Sequence, residues 1–169
     1  MIDKSYVLTM ARYNAWQNSQ VVGIINVMDE KSLWHDHKAF FGSIMHTLNH
    51  LLWGDTLWMS RLCSDVAPPK VPGSQSVACT DTPGEWQAER FRMDGRMRIW
   101  GETLSNLDLA GDLVWIYSAT GQEMRQAKSL CITHMFNHQT HHRGQIHAML
   151  TASGQKAPTT DLVFMPEDI

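Results

Sequence analysis

The sequence predicts an all-α protein, a four-helix bundle with long connections and one short β-hairpin before the fourth helix. Three observations predict it. The chain has 169 residues, 43% hydrophobic and 18% charged, which suits a single domain over 1–169 with a real core. Four stretches repeat apolar residues at three and four spacing, the period of one helix face. One stretch alone, Gly111 to Lys128, changes to a strand-like pattern.

The first helical stretch runs from Ser5 to Asp29. Tyr6, Met10, Tyr13, Trp16, Val21, Ile24 and Ile25 form its apolar face, and Ser5 is the expected N-cap. A polar link, Lys31 to Lys38, carries Trp34, His35 and His37. The second stretch, Phe41 to Leu62, keeps its period through Ile44, Leu48, Leu51, Leu52, Asp55, Trp58, Met59 and Leu62. After Cys63 come Pro68, Pro69, Pro72, Gly73 and Pro83-Gly84, a loop of roughly 18 residues; loops this long often border a functional site. The third stretch runs from Pro83 to Asn106, with Thr82 as cap and Pro83 at the first helical position. Leu113 to Tyr117 is β-prone and Ala119 to Gln122 is turn-like, which makes the hairpin. The fourth stretch runs from Ser129 to Ser153 and ends at Gly154. In the tail, the apolar run Leu162 to Met165 is expected to pack back on the bundle.

Composition removes several function classes. The net charge is −3, and the third stretch interleaves Arg90, Arg92, Arg96 and Arg98 with acids. That reads as a solvated face, and no nucleic-acid partner is expected. No basic-then-apolar leader and no run of 18 apolar residues is present, so the expected place is cytoplasmic, with no membrane partner. Cys63, Cys79 and Cys131 are odd in number and widely spaced, which argues against a disulfide framework and for small core residues.

Nine histidines are the unusual feature, since protonating all of them would reverse the sign of the net charge. Seven fall in two windows: His46 and His50, then His134, His138, His141, His142 and His147. His46/His50, His134/His138 and His138/His142 are each four apart, so each pair stacks on one helix face and can point at one centre. Two such imidazoles plus a third from a facing helix make a three-nitrogen face with a coordination position left open, the pattern of a catalytic metal site. Spacing does not choose between His46 and His50, nor between 134/138 and 138/142. It does exclude rivals. Gln139 stands where a zincin protease needs its Glu, His141 occupies the Glu position of the reversed motif, and no Glu lies three residues before any His as a di-iron bundle requires.

Three blocks carry a family resemblance: Tyr13-Asn14-Ala15-Trp16-Gln17-Asn18, Thr47-Leu48-Asn49-His50-Leu51-Leu52-Trp53-Gly54-Asp55, and Asn137-His138-Gln139-Thr140-His141-His142-Arg143-Gly144-Gln145. In this order they resemble the DinB-like family, DNA-damage-inducible, metal-binding four-helix bundles related to bacillithiol and mycothiol transferases. The resemblance covers nearly the whole chain. It implies a divalent metal, zinc or nickel, held by His50, His138 and His142, a homodimer, and a small-thiol cosubstrate. The implied function is a metal-dependent enzyme that activates a thiol, as a transferase, or water, as a hydrolase. The alternative is a non-catalytic, metal-stapled stress-response or dimerisation protein.

Other residues carry weaker expectations. Arg143 is read as exposed or capping, with an anion or a partner-helix carboxylate as the alternative. Asp55 is read as pointing away from His50, with Arg143 or His141 as an alternative partner. Trp16, Trp53 and Trp58 are read as core or as an apolar pocket wall, Asn14 as a buried polar contact, and Cys131 as core rather than a fourth ligand.

Overall fold

The structure is a computed structural model that describes residues 2–168. Its long helices are α1 (Lys4–Ile25), α3 (Ile44–Leu62), α4 (Pro83–Thr103) and α5 (Lys128–Ala152), with a short α2 (Glu30–Trp34) in the first connection. An antiparallel hairpin, β1 (Asp112–Tyr117) and β2 (Gln122–Ala127), precedes α5 and pairs Trp115 with Met124. This is the expected four-helix bundle with its hairpin. Among the described residues, no helix is long and apolar enough to cross a membrane.

The helix ends follow local chemistry. Thr82 caps α4 by accepting from the Glu85 amide at 3.2 Å, and Ser43 caps α3 by accepting from His46 at 3.1 Å. The α1 cap is Asp3 rather than Ser5. The Asp3 carboxylate accepts from the Tyr6 amide at 2.8 Å and also takes the Ser5 hydroxyl, and a charged acceptor suits the positive helix end better. Gly154 ends α5 with φ at +75°, a conformation side-chain-bearing residues rarely adopt. The long loop after Cys63 contains one 3-10 segment, Gly73–Ala78, packed on α3.

Packing pairs α1 with α4 and α3 with α5, and α3 also meets α4. Apolar side chains from all four fill the centre, among them Val7, Leu48, Met59, Trp86, Met97, Phe136 and Leu150. Trp86 donates its indole N–H to the Leu48 carbonyl at 3.0 Å, so the largest buried ring leaves no orphan donor. The α3–α5 pair is antiparallel and unusually close. A Cβ on Gly54 would lie 2.7 Å from Cε1 of His138, so this glycine is what lets the two backbones approach.

The tail departs from expectation. Val163 is 84% and Phe164 68% exposed, so the apolar run does not pack back on the bundle. The tail is held by its backbone instead. Gln17 donates to the Thr159 carbonyl at 2.8 Å, Tyr13 to that of Thr160 at 2.5 Å, and Arg12 to that of Pro166 at 3.1 Å. Carbonyls outside regular structure need donors, and the polar face of α1 supplies them. Of the cysteines, Cys131 is buried, Cys63 and Cys79 are half-buried, and all three are free thiols.

Candidate metal centre

His50 comes from α3, and His138 and His142 from successive turns of α5. The structure brings these three together: one nitrogen from each lies within 4.8 Å of the other two. Nε2 of His50 is 3.2 Å from Nε2 of His138, and the ring centroids of His138 and His142 are 4.4 Å apart. Two nitrogens sharing a tetrahedral ion at about 2.0–2.1 Å each would stand roughly 3.3 Å apart, so this pair has ligand spacing.

The far sides of the rings set the tautomers. Gln145 donates its amide N–H₂ toward Nε2 of His141 at 3.2 Å, which turns its Oε1 toward Nδ1 of His142 at 2.8 Å. Oε1 only accepts, so His142 carries its proton on Nδ1 and its Nε2 lone pair is free. Nδ1 of His50 sits 2.9 Å from the Ser76 hydroxyl, supplied by the 3-10 segment of the long loop. Nδ1 of His138 is buried without a partner among the described residues. Phe41 lies against two of the rings, its centroid 4.1 Å from His50 and 5.4 Å from His142, and Trp53 stacks near His50 at 6.2 Å.

Burial first, then the neighbouring imidazoles, drives His138 down to about 3 and His50 to about 4; burial also lowers His142. All three are therefore neutral at pH 7, the state in which imidazole ligates a cation. The donor set fits a divalent ion, and it contains no carboxylate.

The remaining histidines stand outside the cluster. His134 is one turn from His138 with ring centroids 6.0 Å apart, His141 lies beside His142, and His46 packs on Trp34.

On the bundle's inner side, a charged layer overturns two sequence expectations, those for Arg90 and Arg143. Arg90 is buried rather than solvated: it donates to Asp55 at 2.6 Å and pairs with Asp94 at 2.8 Å. Asp55 is fully buried, and its other oxygen accepts from Gln139 at 3.0 Å. Arg143 is buried too, donating to the Asn14 side-chain oxygen, with its guanidinium 5.3 Å from the Tyr13 ring. Asn14 and Asn18 each donate to Asp94 at 3.0 Å. Asn14 is thus the buried polar contact expected of it. An Arg among acids looks solvated in sequence because periodicity shows a face without showing what covers it.

Phe41, Gly54, Ser76 and Gln145 complete the cluster's surroundings, and none of them is among the site residues expected from the sequence. Gly54 was legible as a glycine four residues after His50, and Gln145 as an amide three residues after His142. Ser76 carried no signal, since it reaches His50 only through the path of the loop.

The DinB family profile matches residues 1–168. Protein DinB of Bacillus subtilis (strain 168) is 22% identical over 160 residues, spanning 92% of this chain and 91% of that protein. Among solved structures, YfiT from Bacillus subtilis, described as a probable metal-dependent hydrolase with an unusual four-helix bundle topology, aligns with a TM-score of 0.59. The identity is 14%, over 90% of this chain and 89% of that one. A mutant of the mycothiol-dependent maleylpyruvate isomerase aligns at 0.50 with 11% identity, over 98% of this chain and 65% of that one.

Proposed function

Because the chain belongs to the DinB family and gathers three neutral histidines at one point, we propose that it is a divalent-metal-dependent enzyme that activates a small thiol for transfer. The observation that carries this reading is the three-nitrogen cluster on the α3–α5 seam. His50, His138 and His142 hold the ion, and an all-imidazole set suits zinc or nickel. Such an ion, when bound, lowers the pKa of a thiol or water that reaches it, which makes a nucleophile at neutral pH.

The chain's own residues do the rest. Gln145 and Ser76 hold the outer nitrogens of His142 and His50, which keeps the inner lone pairs on the centre. Phe41 and Trp53 wall the His50 side with apolar surface, which keeps bulk water off that flank. Asp55, the carboxylate beside the layer, is committed to Arg90 and Gln139, so it does not serve as a general base. Of the two nucleophiles a thiol needs the smaller shift to ionise without a base, from a free pKa of about 8.5 against about 15.7 for water, and this favours the transferase. Hydrolysis is the second reading, supported by the likeness to YfiT.

Elemental analysis tests the proposal. Wild-type protein should carry one divalent ion per chain, and His142→Ala should carry none. A variant that keeps a full ion equivalent overturns the ligand set. A saturated site that admits neither thiol nor water would instead favour the metal-stapled structural protein.

A further inference from the structure

We propose that the substrate of this centre is an extended organic anion, its charged end held by Arg61 and its body laid along the α3–α5 seam over His134 and Trp58. This rests on the metal-dependent reading above. Arg61 follows His50 on α3 by three turns, which puts it on the same helix face about 16 Å away at 1.5 Å per residue. Between them the surface is an unbroken series of rings. His138 and His134 have centroids 6.0 Å apart, and Trp58 lies 5.1 Å from His134. The guanidinium of Arg61 then sits 4.7 Å from the centre of Trp58 and 5.1 Å from that of Trp115, which the hairpin brings down onto the seam.

The positive charge at this end is in excess. Arg61 is half-buried between two indoles, and it forms no ion pair among the described residues. It also lines a cavity of about 330 Å³ with Lys128, over an apolar floor of Leu62, Leu113 and Ile132. Asp108 is the acid in that wall, and its carboxylate is already occupied, accepting from the Ser105 amide at 2.8 Å and hydroxyl at 2.7 Å. Lys128 donates to the Asp108 carbonyl at 3.5 Å and also lies in electrostatic reach of the Asp108 carboxylate. Two cations facing one satisfied carboxylate leave room for a carboxylate or similar anion from outside, and the flat clamp on Arg61 presents its donors in a fixed plane.

A chain-length series tests this on protein loaded with cobalt, whose absorption reports thiolate binding. The probes are ω-mercaptoundecanoate, its neutral alcohol analogue and mercaptoethanol. The long carboxylate should bind at least about tenfold tighter than the alcohol, as a charge-assisted contact requires. Arg61→Gln should erase that advantage while leaving ion content and mercaptoethanol affinity as they were. Equal affinity for carboxylate and alcohol in the wild type, or an advantage that survives Arg61→Gln, overturns the proposal. A clamp that only fastens the hairpin would change melting temperature without changing the ratio. If Arg61→Gln does not fold, Lys128→Glu, at a half-buried position in the same wall, should reduce the same ratio. Undecanoate, which has no thiol, is titrated separately against metal-free protein by tryptophan fluorescence. Saturable quenching that Arg61→Gln abolishes upholds the anion anchor even if the metal reading fails. No quenching in the wild type overturns the anchor.

Discussion

The seam between α3 and α5 and the charged layer on the bundle's inner side share those two helices and take neighbouring residues from them. Gly54 and Asp55 are adjacent, as are His138 and Gln139, and His142 and Arg143. Turning one residue along either helix crosses from one region to the other. Inside, two arginines and two aspartates meet, and each charge faces an opposite charge or an amide. On the seam, the three clustered rings are neutral and Arg61 has no counter-ion. The layer answers its charges from within, although Arg90 Nε, Gln139 Oε1 and one Arg143 guanidinium nitrogen make no hydrogen bond among the described residues. The seam has unmet donors and acceptors, and a ligand can supply what they lack.

The largest effect should come from breaking the closed region. Arg90→Met leaves Asp55 and Asp94 buried without their cation and should cost about 3–5 kcal/mol in urea unfolding. A loss under 1 kcal/mol would mean the layer is solvated after all, and the contrast between the regions would fall.

Acid should act on the seam before the layer. His50 and His138 titrate near 4 and 3 in the folded protein, against 6.5 in a free imidazole. Between those values the unfolded chain binds more protons than the folded one. Stability of metal-free protein should therefore be flat above pH 7 and fall as pH drops from 6.5 toward 4. His50→Ala with His138→Ala should flatten that slope, as measured by thermal melts across the range. A slope unchanged in the double variant would assign the acid response elsewhere.

Gly54→Ala probes the closeness of the seam. The new methyl meets the His138 ring at 2.7 Å, so the ring must swing or the helices must part. A strain of about 1–3 kcal/mol is expected, together with loss of stoichiometric ion binding. Full ion content in a stable Gly54→Ala protein would show that His138 does not need its present place.

How far these regions could be foreseen differs between them. The bundle was legible because four apolar periods and one strand-like stretch fix which surfaces must be covered. The histidine cluster was legible in part: i, i+4 spacing put His138 and His142 on one face, but His134 satisfied the same rule, and only the family resemblance chose between them. The charged layer was not legible. Arg90 and Asp55 have ordinary surface identities, and their burial follows from how α4 meets α3, which no single helix encodes. Arg61 was hidden for the same reason, because its indole partners come from α3 and from the hairpin.

The smallest effects separate the regions most sharply, through two glutamines on one helix. Gln139 is fully buried and donates to Asp55, whereas Gln145 is half-buried and accepts from His142. Gln139→Leu removes a donor from a buried carboxylate and should cost about 1–3 kcal/mol of stability. Gln145→Ala should leave stability within about 0.5 kcal/mol, since its contacts are near the surface. It frees the His142 ring to change tautomer, however, and should weaken ion affinity about tenfold in a chelator competition. If Gln145→Ala destabilised the fold and Gln139→Leu did not, the division between a closed structural layer and an open seam would be drawn along the wrong face of α5.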